Sequence, residues 1–338
     1  MKKSFIAMAL AAVLSIGFVA GAFAAEGMMG SPDAKIRFKV GVTTAPDGHY
    51  VGGLLKMQKL LEEYTNGELT MDVYHSSMLG NESDMLDNIS MGMQEMGLIS
   101  TGPIPMLAKS LANWKVLDLP YIFTSREHAE KVLDGPVGEL LLKGFDGTGI
   151  KGISFWSNGF RQLSNNKVAV THPADMKGIK VRTMENATHM ATYRALGATP
   201  TAMAMSEVFP ALQQGTIDGQ ENPLVIIHTA RIYEVQKYVT VHNLFYSPCV
   251  LVINEDIYNG LTDAQRDAFN RAAKEAQKFE RDLTVELDAR GRKIMEEAGV
   301  QVIDVEQGEW VEATKSVYED ASLNIDQDLL AKVIAAGK

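Results

Sequence analysis

From Ile36 to Val40 apolar and charged residues alternate, with Ile36, Phe38 and Val40 on one side and Arg37 and Lys39 on the other, the period of a strand with one buried face. Leu54, Leu55, Met57 and Leu61 then recur at helical spacing, which predicts a helix from about His49 to Tyr64 stopped by Asn66-Gly67. Leu69, Met71 and Val73 alternate again as a second strand. The rhythm continues with a helix over SDMLDNISMG, strands over MGLIS (96–100) and VLDLP (116–120), and a helix between Ser125 as N-cap and Gly135 as stop. Alternating elements of this kind predict an α/β architecture.

Farther along, a strand from Ile150 to Trp156 runs into a loop, Ser157 to Arg161, that presents Arg161. The stretch ADMKGIKVRT (174–183) ends a polar turn with a short apolar strand and delivers Arg182 at its end. A helix is expected from Asn186 to Leu196, and another from Ser206 as N-cap to Gln214-Gly215. Asn222 precedes Pro223, which biases it toward extended backbone and holds its amide donor and acceptor at a junction. SPCVLVIN (247–254) is a buried strand by its apolar run, Thr262 to Gln265 has the form of a capping box, and a long helical pattern extends to about Ala298 with an interruption possible at Gly291. Gly147 to Gly152 matches the dinucleotide-binding glycine pattern, but a helical segment precedes it and a strand follows. This is the reverse of the order that aims a helix N-terminus at a pyrophosphate, so the glycines are read as an ordinary turn.

Composition adds bounds. The 338 residues, 46% hydrophobic and 22% charged, suit a globular protein of roughly two domains. A formal charge of −10, with no basic run interleaved with aromatics, argues against nucleic acid or anionic membrane as a partner. Lys2 and Lys3 precede an apolar run from Phe5 to Phe23 that ends in Ala22-Phe23-Ala24, the form of a secretory signal cleaved after Ala24. Removing the two lysines takes the charge from −10 to −12. No later segment is long and apolar enough to span a bilayer, so the mature chain is expected outside the cytoplasm and not embedded in membrane. The single cysteine, Cys249, cannot close an internal disulfide and is expected to be buried.

For chemistry, the arginines stand out, although either one alone reads more readily as a solvated surface ion pair. No HExxH, no GxSxG and no metal spacing among the seven histidines is present, which leaves an enzyme, a metal site or a cofactor without support. His172 and His189 could line a cleft, but each reads more simply as an ordinary surface or core histidine.

NGFRQL (158–163), ADMKGIKVR (174–182), SEVFPALQQGTIDGQENP (206–223) and YEVQKY (233–238), in this order and spacing, resemble the solute-binding proteins of TRAP transporters, the DctP-like family. The resemblance covers roughly Ile36 to beyond Val300. It implies a two-domain α/β periplasmic binding protein of the Venus-flytrap kind, with a hinge and a long inter-domain helix. It also implies a monomer in the periplasm that closes on a small organic acid and delivers it to the small and large membrane subunits of an ion-driven permease. On this analogy residues 26–158 and about 248–287 form one domain, about 159–247 and 288–338 the other, with a first crossing near Phe155 to Phe160. Arg182 matches the arginine that clamps the ligand carboxylate, Arg161 a second arginine supporting it, and Asn222 an asparagine that hydrogen-bonds the ligand. Thr43, Ser100 and Met205 fall at positions that touch ligand in some members. Sialic-acid binders place asparagine and glutamate where this chain has Thr43 and Ser100, which points away from that substrate. A binding protein that feeds a membrane sensor, or an extracytoplasmic enzyme acting on small organic acids, would be the alternative outputs. Dicarboxylates, sugar acids and 2-oxo acids all remain open.

Overall fold

The computed structural model describes residues 28–336. The expected signal segment and its cleavage position lie outside the described residues. In chain order the elements are β1 (Ile36–Gly41), α1 (His49–Tyr64), β2 (Leu69–Tyr74), α2 (Glu82–Ser90), β3 (Met96–Ser100), α3 (Ile104–Leu107), α4 (Arg126–Leu133), α5 (Pro136–Lys143) and β4 (Ile150–Ser157). There follow β5 (Arg161–Asn165), β6 (Lys180–Thr183), α6 (Ala187–Ala195), β7 (Thr199–Ala202), α7 (Met205–Gln213), β8 (Gly219–Asn222), α8 (Leu224–Thr229) and β9 (Tyr238–Phe245). The chain ends with β10 (Pro248–Asn254), α9 (Glu255–Asn259), α10 (Asp263–Glu297), β11 (Gln301–Asp304), α11 (Gly308–Thr314) and α12 (Gln327–Ala336).

Two sheets result. The first has the order β2-β1-β3-β10-β4, with β1 parallel to β2 and β3 and with β10 antiparallel to β3 and β4. The second has the order β11-β9-β5-β8-β6-β7. The alternation read in β1 is real, since Phe38 and Val40 are buried on the sheet while Lys39 is exposed. One face of the first sheet packs on α1 and the N-terminal half of α10 through Leu54, Met57, Phe269, Ala272 and Ala276. The other packs on a cluster that includes Trp114, Phe145 and Phe155. The second sheet is likewise covered on both faces, by a cluster with Leu163, Val181, Tyr193 and Trp310 and by another with Val208, Leu212, Val239 and Met295.

The chain passes from β4 to β5 at residues 158–160 and returns between β9 and β10 at Tyr246-Ser247, so each sheet is assembled from distant segments. The 35-residue α10, about 52 Å long at 1.5 Å per residue, joins the two bodies: Phe269 lies in the first core and Met295 in the second. It runs without a break through Gly291. That glycine is required by packing, because a Cβ there would meet the Leu224 carbonyl oxygen at 3.0 Å. The capping box at Thr262 and Gln265 forms as the sequence indicates, and Cys249 is buried and free.

Three expectations are corrected. Residues 116–120 are not a strand; a 3₁₀ segment spans Lys109–Asp118, and its Val116, Leu117 and Asp118 are all buried, which alternation cannot report. Ser206 is not an N-cap, because α7 begins one residue earlier with Ala204 in the cap position. Arg161 is the first residue of a strand, not part of a loop. The final helix α12 places Leu329, Leu330 and Val333 in the core with Trp114 and Leu141. The last part of segment 288–338 therefore packs on the first sheet's layers and not on the second's.

Candidate ligand-binding site

The three residues that the sequence singles out as a group come from separate turns of the second sheet. Arg182 is the third residue of β6, between Val181 and Thr183. Val181 points into the core, and strand alternation sends Arg182 to the opposite face. Its Nε and Nη2 both donate to the carbonyl of Met203, at 2.8 and 2.6 Å, which fixes the guanidinium plane. Nη1 is left without a protein acceptor, and no carboxylate forms an ion pair with this arginine among the described residues. The side chain is only 3% exposed. Burial pulls its pKa down to about 10, with the nearby Arg161 cation adding to the effect and Glu221 opposing it. It is a buried cation short of a counter-charge.

Arg161 is in the opposite condition. Its Nε and Nη2 hold the Glu221 carboxylate, the second contact at 3.0 Å, and Nη2 also reaches the Glu221 carbonyl at 2.7 Å and Asn222 Oδ1 at 3.0 Å. Burial alone would raise the Glu221 carboxyl, but Arg161, helped by His189, holds it down at about 2. Arg161 Nη1 is buried with no partner. Asn222 therefore braces Arg161 with its oxygen, while its Nδ2 donates to Gln220 Oε1 at 2.5 Å and lies 3.9 Å from Met205 Sδ.

These groups face one cavity, lined also by Thr43, Thr44, Tyr50, Glu82, Ser100, Asn158 and Met205. The structure thus brings together all six residues named from the sequence: Arg161, Arg182, Asn222, Thr43, Ser100 and Met205. Thr43 and Ser100 arrive from the first sheet's side, the others from the second, so the cavity sits between the two bodies. It holds about 50 Å³ of positions for the centre of a water-sized sphere, several times the roughly 10–15 Å³ that one water needs. Four buried polar atoms on its wall lack a nitrogen or oxygen partner among the described residues, Thr44 Oγ1, Tyr50 Oη, Asn158 Oδ1 and Arg161 Nη1, with only the Cys249 thiol beside the tyrosine hydroxyl. Buried polar groups are normally satisfied, so a wall with four such atoms is built to be completed by something polar.

Sequence reasoning missed Glu82, Glu221, Tyr50 and Asn158. Glu82 reads in the sequence as an ordinary first-turn acid of a helix, and Glu221 as a neighbour of Asn222. Only the antiparallel pairing of β5 with β8 reveals Glu221 as the partner of Arg161. His189 does not touch the cavity. It stacks on Phe245 at 3.9 Å between the carboxylates of Asp118 (3.5 Å) and Glu221 (3.6 Å), fully buried, and these carboxylates raise its pKa against the effect of burial. His172 is a surface residue paired with Glu309.

The bodies also touch at the cavity lining and, more deeply, beside it. Ser83 donates to Glu185 at 2.8 Å, and Asn186, the N-cap of α6, donates to Asp118 at 2.7 Å. The geometry is that of a closed cleft.

Comparison with known proteins agrees with this geometry. Residues 40–324 match the sequence profile of bacterial extracellular solute-binding protein family 7, DctP. A solute-binding protein of Verminephrobacter eiseniae is 40% identical over 271 residues, covering 80% of each chain. A TRAP periplasmic solute-binding protein from Polaromonas sp. JS666, solved with D-erythronate, superposes with a TM-score of 0.85 at 34% identity, covering 89% of this chain and 98% of that one. The sugar-acid-binding protein DctPAm of Advenella mimigardefordensis, solved with galactonate, gives a TM-score of 0.86 at 29% identity over 90% of this chain and 99% of that one.

Proposed function

This chain belongs to bacterial extracellular solute-binding protein family 7, and from that premise we propose that it captures a small organic acid by its carboxylate between Arg182 and Arg161 and hands it to a TRAP permease. It is a two-domain α/β binding protein, not an enzyme. The observation that carries the ligand assignment is the pair of Nη1 groups. Among the described residues Arg182 is buried without an ion pair, and Arg161, already neutralised by Glu221, keeps one buried donor unused. A carboxylate placed there supplies both the missing counter-charge and the missing acceptor. Stripping its water costs several kcal/mol per ion, which a desolvated and preoriented guanidinium offsets with charge-assisted hydrogen bonds. The erythronate and galactonate held by the two solved relatives are both carboxylates, which supports the same reading.

Asn222 would act mainly by fixing Arg161, with Thr43, Ser100 and Met205 shaping the wall. We take each sheet with its covering helices as one domain, residues 158–160, 246–247, α10 and the segment between α11 and α12 as the connections between them, and the periplasm as the site of action, reached by cleavage after Ala24. An exported protein whose intact mass does not begin at Ala25 would refute that position. The permease partnership would be refuted if uptake of the bound acid persisted unchanged in cells lacking the membrane subunits.

Titration calorimetry on Arg182→Ala tests the capture itself. Losing one partner of a buried charge pair costs several kcal/mol, so affinity should fall by about 100-fold or more. Arg182→Lys should also bind poorly, because a lysine cannot hold Met203 and present a planar fork at once. Unchanged affinity in Arg182→Ala would remove the assignment.

A further inference from the structure

We propose that Glu82 makes the cavity selective for polyhydroxylated monocarboxylates, acids of the aldonate type, and sets it against acids with a second carboxylate at the far end. The inference rests on the carboxylate capture described above and concerns the opposite wall. On that wall Glu82, the first residue of α2, accepts the Ser100 amide on Oε1 at 2.8 Å and the Ser100 hydroxyl on Oε2 at 2.5 Å. A carboxylate has about four acceptor positions, so about half of them remain open toward the cavity that Glu82 lines.

An alcohol of the ligand can donate to these positions, and such a bond to a charged acceptor is of the stronger kind. A second ligand carboxylate has no hydrogen to give. It would bring like charge beside a carboxyl whose pKa burial already raises, against the opposing pull of Ser100, Arg182 and Arg161. Among the described residues Asn158 Oδ1 on the cavity wall has no donor, and Thr44 Oγ1 and Tyr50 Oη are buried hydroxyls that can accept from or donate to a ligand alcohol. The unused guanidinium donors and the open acceptor positions of Glu82 are met together by one carboxylate followed by hydroxyl groups.

Aldonates and aldarates with the same carbon skeleton separate the possibilities, because they differ only in whether the last carbon is an alcohol or a carboxylate. Calorimetry would compare erythronate with meso-tartrate and galactonate with galactarate, on the native chain and on Glu82→Gln. A hydrogen bond to a charged group is worth enough that the better-fitting aldonate should bind about tenfold more tightly than its aldarate, or more. Glu82→Gln, nearly isosteric, should shrink that ratio by strengthening the aldarate and weakening the aldonate, with a thermal melt confirming that the variant folds. An aldarate that binds as tightly as its aldonate, or a ratio unchanged in folded Glu82→Gln, overturns the proposal. Arg182→Ala separates the two layers of argument. If tight aldarate binding disappears in that variant, carboxylate capture stands and only the role of Glu82 falls; if it persists, capture falls as well.

Discussion

Glu221 illustrates how much rests on a residue that need not touch the ligand. Its carboxylate neutralises Arg161, fixes the orientation of that guanidinium and stands 3.6 Å from His189. Removing one partner of a buried pair leaves an uncompensated charge, typically costing about 3–5 kcal/mol. Glu221→Gln should therefore lower stability in urea denaturation by an amount of that order. A loss below about 1 kcal/mol, the range of exposed pairs, would mean that water reaches the pair. The folded-state pKa near 2 lies below the ordinary carboxylate value, so this contribution is present above about pH 4.5 and is lost as pH falls toward 2. Arg161 and Arg182 were legible in the sequence as guanidinium groups, but their different states were not. Whether an arginine is paired or waiting depends on which strand end faces it, and sequence spacing does not report that.

Among the elements, α10 carries one buried carboxylate, Glu280, and one half-buried one, Asp288, each holding a backbone amide of another element. Glu280 accepts the Ser157 amide at 2.9 Å where β4 ends, and Asp288 accepts the Val225 amide at 2.7 Å in the first turn of α8. Burial raises Glu280 to about 8 and Asp288 to about 7, against the hydrogen bonds that favour their charged forms. A carboxyl with a raised folded-state pKa keeps its proton in the folded chain after the unfolded chain has lost it. Its contribution is fully present below the unfolded value and is lost as pH rises through about 7 to 8. The drop in unfolding free energy between pH 5.5 and pH 9 should accordingly be smaller in Glu280→Gln than in the native chain, read by urea denaturation at both pH values. An unchanged drop would show that Glu280 titrates normally. The helix packs closely because α1 offers Gly53, where a Cβ would lie 2.6 Å from Glu280 Cβ and from a ring carbon of Trp156. The periodicity showed a long charged helix; its buried Glu280 and half-buried Asp288 look, in the sequence, like any other charges on a solvated face.

For the whole molecule, the cleft is bridged by Ser83 with Glu185 and by Asn186 with Asp118, while only short segments and α10 connect the bodies. Release of ligand then requires opening about residues 158–160 and 246–247, a hinge motion. Small-angle scattering should show a smaller radius of gyration with a bound acid than without it; identical curves would mean that the cleft exchanges ligand without opening. The sequence by itself determined the alternation of strands and helices, the capping of α10, the burial of Cys249 and the three stretches that carry Arg161, Arg182 and Asn222. Those are local matters of period, cap chemistry and residue type. The tertiary structure decided that α12 returns to the first core, that Glu221 pairs with Arg161, and that Glu82 stands across the cavity from the arginines. Each of these joins residues far apart in the chain, and the pairing of strands and the burial of charges that set them are properties of the assembled sheets.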